Sequence, residues 1–260
     1  MKMNQPDSIN RMYVENDTLS VRMNLHKKYS VNRYGWHNWV FDQFSIKENM
    51  KILELGCGTG DIWVNRENRI PENVKIILTD ISPLMSGKAK ENLEKNENFS
   101  FELADIRKIP FGDNEFDAVI ANHILYHVPN PEEALSEIYR VLKADGVLYS
   151  TTIGENSLRE LTEIYLKYQD RVNFSYSGNL SFSLDKGEDI LKNYFHQIEK
   201  KLYLDSLEVT DAGDLMDYIV SYNDVPEDIQ DKIRETINDE IQKNGSFKII
   251  KEQGMFICSK

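Results

Sequence analysis

Lys51-Ile52-Leu53-Glu54-Leu55-Gly56-Cys57-Gly58-Thr59-Gly60 is an apolar run closed by a carboxylate and then by glycines at alternate positions. A helix-like segment follows at once. Alternate glycines let the backbone bend where side chains would collide, and they let a ligand come close to main-chain N–H groups. The run reads as a buried strand whose carboxyl end holds a small molecule, which is where open α/β sheets take their ligands.

Outward from this stretch the chain alternates. Strands are expected at Val74–Thr79, Phe99–Leu103, Phe116–Ala121 and Val147–Thr152. Between them, one helix starts at Ser82 with Pro83 in its first turn, and another near Pro131 carries Ala134, Leu135, Ile138, Val141 and Leu142 on one face. The spacing predicts a doubly wound, Rossmann-like α/β sheet. After Ile153 the rhythm breaks into helices at 158–168, 185–195, 212–221 and 226–242, a strand at Ile198–Leu204, and a closing pair, Phe247–Ile250 and Met255–Ser259. Residues 1 to 45 read as an N-terminal helical lid with a frayed polar start; the main domain spans 46–260, with cap insertions at about 155–185 and 205–243.

The bulk numbers exclude several classes. A net charge of −12 over 260 residues, with scattered basic side chains, argues against a nucleic-acid partner. No apolar run reaches membrane-spanning length and the start lacks a signal-peptide core. Two distant cysteines, Cys57 and Cys258, make no disulfide framework, so a cytoplasmic protein is expected.

The glycine turn is neither the dinucleotide fingerprint, which spaces its glycines G-x-G-x-x-G, nor a phosphate loop, which needs Gly-Lys-Ser/Thr. Glu54 in front of it would repel a pyrophosphate and welcome a cation. About twenty residues on, Asp80 ends the second strand, where an acid commonly accepts from ribose hydroxyls, and Asp105 ends the third. The plain alternative for both is a strand-end turn or a helix cap.

From Lys51 to Gly154 the chain resembles the class I S-adenosylmethionine-dependent methyltransferases of small-molecule type, the group that includes the ubiquinone/menaquinone C-methyltransferases. Five stretches in order carry the resemblance: Glu54 to Gly60; Thr79-Asp80-Ile81-Ser82; Ala104-Asp105-Ile106 with Ile109-Pro110-Phe111; Phe116 to Ile120; and Leu135 to Gly146. It implies a seven-stranded sheet with the last strand antiparallel, and S-adenosyl-L-methionine as cofactor. It also implies roles: Glu54 with Gly56, Cys57, Gly58 and Gly60 at the methionyl part, Asp80 at the ribose, Ile81 at the adenine face, Asp105 and Ile106 at the adenine edge, and Asn122 beside the sulfonium. Tyr29 joins this set from the lid, where Tyr34 and Trp36 flank Gly35.

Methyl transfer from a sulfonium is an in-line displacement, so the protein positions the acceptor and removes a proton where needed. His127 and His123, in Asn122-His123-Ile124-Leu125-Tyr126-His127, are the candidate bases. Their spacing could suit a metal, but no third ligand accompanies them, and none is expected. No Asn/Asp-Pro-Pro-Tyr/Phe follows the fourth strand, which with the acidic charge favours a small-molecule acceptor and a monomer or homodimer. RNA methylation and non-catalytic cofactor binding remain as alternatives.

Overall fold

The computed structural model describes residues 18–172 and 180–260. The polar start and the expected aromatic loop Phe174-Ser175-Tyr176-Ser177-Gly178 lie outside them. Seven strands form one sheet: β1 (Lys51–Leu55), β2 (Lys75–Asp80), β3 (Phe99–Leu103), β4 (Phe116–Asn122), β5 (Leu142–Ile153), β6 (Gln197–Val209) and β7 (Phe247–Ser259), in the order β3-β2-β1-β4-β5-β7-β6. The first five pair in parallel, and β7 pairs antiparallel with both β5 and β6. The Rossmann-like architecture with an antiparallel last strand is therefore present.

The helices are α1 (Thr18–Tyr29), α2 (Trp36–Asp42), α3 (Pro83–Leu93), α4 (Pro131–Val141), α5 (Arg159–Tyr168), α6 (Gly187–Leu191), α7 (Ala212–Val220) and α8 (Glu227–Asn244). Ser82 caps α3 by accepting from the Met85 N–H, and Asn130 caps α4 by accepting from the Glu132 N–H. Each satisfies a donor that the first turn leaves free. Ala134, Leu135, Ile138 and Val141 of α4 are fully buried, as their spacing predicts.

Strand alternation sends neighbouring residues to opposite layers. Leu53 and Leu55 of β1 face a core with α4 and Phe256, whereas Ile52 faces a core with Val40, Phe41 and Trp63 beneath the lid. A third apolar cluster ties α1, α5, α7 and α8 to the upper ends of β6 and β7.

Three expectations differ. The helix after Asp61 is a chain of turns followed by a short 3-10 turn at Glu67–Arg69, because Asn65 takes a left-handed φ of 64° that breaks helical propagation. The closing pair of strands is one strand. Gly254, which reads as a turn former, lies inside β7 because a Cβ there would meet the Lys201 carbonyl oxygen at 2.4 Å. Residues 205–209, assigned to a cap insertion, continue β6, and the helical stretch begins at Ala212.

Candidate active site

Glu54 shares its face of β1 with Ile52, which turns its carboxylate into the buried layer under the lid. There Trp63 Nε1 donates to Oε2 at 2.6 Å and Asn122 Nδ2 to Oε1 at 3.2 Å. Burial pushes the carboxyl up to about 7, although both hydrogen bonds work against it, and the charges of Asp80 and Asp61 add to the rise. Among the described residues no basic side chain bonds it. A buried carboxylate supplied with neutral donors alone is prepared for a cation from outside.

The glycine turn follows. Gly56, Gly58 and Gly60 all have positive φ, at 70°, 57° and 76°. A Cβ on Gly56 would lie 2.9 Å from the Ile124 side chain, whereas one on Gly58 would meet nothing within 4 Å. Gly58 thus faces open space. Its N–H donates to Asp80 Oδ2 at 3.0 Å and the Ser82 N–H to Oδ1 at 2.8 Å, which fixes the carboxylate at the end of β2. Burial raises the Asp80 carboxyl, opposed by these backbone donors. Cys57 is buried, its thiol pushed up by desolvation, and Ile81 follows Asp80 half-buried. At the end of β3, Arg107 binds both oxygens of Asp105 and holds its carboxyl below the usual range, while Ile106 turns into the core beside Ile109.

At the end of β4, Asn122 spans the two halves of the site. It donates to Glu54 and accepts from Thr151 Oγ1 at 3.3 Å. His123 then adopts a φ of 49°, with its N–H on the Thr151 carbonyl. Its ring lies 5.0 Å from Trp36, and its buried Nδ1 has no partner among the described residues. Burial, reinforced by the neighbouring His127, draws its pKa down to about 3. His127 sits on a separate 3-10 turn, Leu125–His127, against the Tyr126 ring at 4.5 Å. Its side chain reaches the surface, and desolvation by the surrounding atoms is the single cause that lowers its pKa. The two rings lie on a turn and not on one helix face.

A family model described as a methyltransferase domain matches residues 46–253. The chain belongs to this family. A ubiquinone/menaquinone biosynthesis C-methyltransferase of Pectobacterium carotovorum is 28% identical over 149 residues, 56% of this chain and 59% of that relative. The chain thus matches about three fifths of that relative's length. Among solved structures, a Haemonchus contortus phosphoethanolamine N-methyltransferase complexed with phosphomonomethylethanolamine and S-adenosylhomocysteine superposes with a TM-score of 0.61 at 16% identity, over 98% of this chain and 60% of that one. The [4+2]-cyclase SpnF superposes at 0.59 and 17% identity, over 98% and 97%. At such identities these two likenesses establish the fold alone.

The residues of this methyltransferase domain fit the S-adenosyl-L-methionine that the sequence resemblance implies as donor. Glu54 awaits a cation, Gly58 opens onto free space, and Asp80 keeps lone pairs available beside its two backbone donors.

The lid meets this end of the site through α2. Trp36 stacks on Trp39 at 5.4 Å, and Asn38 Oδ1 accepts from Arg66 Nε at 3.0 Å and Nη2 at 2.6 Å. The Arg66 Nη1 meanwhile donates to the carbonyls of Asp61 and Val64. Tyr29 is set apart from the other cofactor residues. It packs in the α7–α8 cluster and donates to Asp214 at 2.5 Å. Trp63, Arg66, Asp205 and Lys251 are polar-contact residues that the sequence reading did not single out. One signal was available: the inward parity Phe247, Ile249, Lys251, Gln253, Met255 places a lysine in an apolar series.

Proposed function

We propose that this methyltransferase transfers the methyl group of S-adenosylmethionine to a small-molecule acceptor held between the lid and the upper ends of β4 to β7. The observation that carries the reading is the buried Glu54, bonded only by neutral donors among the described residues and joined through Asn122 to the histidine turn. Glu54 and the glycine turn hold the methionyl part, Asp80 the ribose with Ile81 beside it, and Asp105 and Ile106 the adenine edge. The bound cofactor supplies an electrophilic methyl on a positively charged sulfur.

His127 is the base where the acceptor must lose a proton. Its partly solvated ring can take a proton and pass it to water. His123 is too well desolvated for that task and orients the acceptor as a neutral hydrogen-bonding group. Residues 18–45 form the lid, and the helices between β5 and β6 and between β6 and β7 the cap. Among the described residues no helix is long and apolar enough to cross a membrane, and both cysteines are free, which supports a reducing, cytoplasmic setting.

Labelled cofactor offered with a metabolite extract, and separately with total RNA, tests the reading. Label in a low-molecular-weight product is expected; transfer to RNA alone would replace the acceptor class. Calorimetry with S-adenosylhomocysteine checks the cofactor site independently of turnover.

A further inference from the structure

On the lid-covered face, β7 presents Phe247, Ile249, Lys251, Gln253 and Met255 in turn. The ends of this series belong to different apolar clusters, the first two residues to the cap cluster and Met255 to the lid cluster. Between them runs a polar band. Lys251 and Gln253 pair in register with Asp205 and Tyr203 of β6, and Gln253 pairs on its other side with Ile153 of β5. Trp36 closes the band from the lid, 5.2 Å from the Tyr203 ring and 5.0 Å from the His123 ring.

Within this band the hydrogen-bonding capacity is unbalanced. Asp205 is saturated: Ser30 Oγ donates to both its oxygens, the Asn32 and Ser206 N–H groups to Oδ1, and Lys251 Nζ to Oδ2 at 2.6 Å. Both side chains of the ion pair are buried. An ammonium carries three donors, and Lys251 gives one to Asp205, its single side-chain bond among the described residues. Two remain. Among the described residues, His26 Nδ1, His123 Nδ1 and Gln253 Oε1 are buried without partners; the Lys251 charge acts on both imidazoles, and Gln253 lies two positions along the same strand face. Desolvation draws both imidazoles down to about 3, helped at His26 by the Lys251 charge against Asp205, and at His123 by His127 and His37 ahead of Lys251. Buried polar groups without partners are uncommon enough that several in one place point to a missing occupant.

A phosphate would call for more than one cation or a helix N-terminus. A neutral ligand would give no return for burying an ammonium with two donors unmet. A single charge with spare N–H groups matches a monoanionic carboxylate, each neutral imidazole donating from its Nδ1–H tautomer, while Gln253 Oε1, which only accepts, suits an N–H or O–H elsewhere on the same molecule.

We propose that Lys251 is a specificity-determining residue of the acceptor site and binds a carboxylate carried by the methyl acceptor, with His26 and His123 as flanking hydrogen-bond partners. The proposal rests on the methyltransferase reading of the same site. His123 is the link between the two, since it adjoins Asn122 and therefore Glu54. The acceptor lies along the band, its carboxylate at β6–β7 and its reacting atom toward the end of β4.

The test is calorimetric titration of the full chain, saturated with S-adenosylhomocysteine, using formate, acetate and benzoate against formamide, acetamide and benzamide. At least one acid is expected to bind about tenfold or more tightly than its matched amide. Lys251→Met should erase that preference while S-adenosylhomocysteine affinity stays unchanged, and Lys251→Arg should retain part of it. Equal binding of acids and amides by the unaltered protein, which needs no variant, overturns the proposal. So does a preference that survives Lys251→Met, or a parallel loss of S-adenosylhomocysteine affinity, which would assign Lys251 to the donor site. Failure of the unaltered protein to bind S-adenosylhomocysteine overturns the methyltransferase reading instead, and the acid–amide comparison stands apart from it.

Discussion

The two ends of the site are built on different principles. At the donor end proposed above, Glu54, Gly58, Asp80 and Asn122 lie on strand ends or adjacent turns; backbone N–H groups fix Asp80, while the Trp63 and Asn122 side chains fix Glu54. At the lid end, the contacts join residues about 170 or more positions apart. Ser30 and Asn32 reach Asp205, Lys28 and Tyr29 reach Asp214, and Arg22 reaches Ser221 and stacks on Tyr222. The donor end is thus held by contacts among neighbouring strand ends and turns, whereas most of the lid-end contacts pair side chains from elements far apart in the chain. One architecture carries the shared chemistry and the other carries the variable part.

This contrast can be broken in several ways. The largest effect is expected from Asp205→Ala, which leaves Lys251 buried and unpaired; a loss of about 3–5 kcal/mol in denaturant unfolding is expected. If cofactor affinity falls in proportion, the two ends are one cooperative unit and the contrast fails. Asp80→Ala should weaken S-adenosylhomocysteine binding on the order of a hundredfold, since it releases the Gly58 turn and, under the proposed assignment, removes the ribose acceptors. Unfolding midpoints should move little, and a large shift would show that the donor end also depends on side chains.

Glu54 makes the donor end sensitive to pH. In the free protein its folded pKa, about 7, lies above the unfolded value near 4.5. Folding is therefore disfavoured as pH rises through that window, because the native state holds a proton the unfolded chain has released. A cationic ligand selects the ionised form, so affinity for S-adenosylmethionine should rise about tenfold per pH unit up to about 7 and then level off, with protons released below that point. Glu54→Gln should abolish the slope. A flat affinity profile in the unaltered protein would remove Glu54 from contact with the cation. The smallest effect is expected of Asn38→Ala, which cuts the Arg66 link between lid and turn and should cost about 1 kcal/mol in unfolding.

Legibility in the sequence followed the same divide. The glycine turn, the Ser82 cap with Pro83 and the alternation of strands and helices are short-range patterns, each decided within a few residues. Trp63 escaped notice because an apolar-looking tryptophan nine residues from Glu54 carries no mark of its hydrogen bond. Nothing near Tyr29 in the sequence shows that its hydroxyl donates to Asp214, 185 positions along the chain. Asp205 was read as cap because the chain after Leu204 turns polar, while its place in β6 follows from pairing with Lys251. Such pairings become visible only when strands have met.

The left-handed backbone at His123 has a bearing on how that position can be studied. A φ of 49° is tolerated by glycine, asparagine and aspartate and is hostile to valine, isoleucine and threonine. A saturation library at residue 123 will sort first by conformation and only then by chemistry. Inactive β-branched variants would report a distorted exit from β4, not a missing imidazole. Asparagine, which keeps both the backbone shape and a hydrogen-bonding side chain, is the substitution whose phenotype can be assigned to the ring.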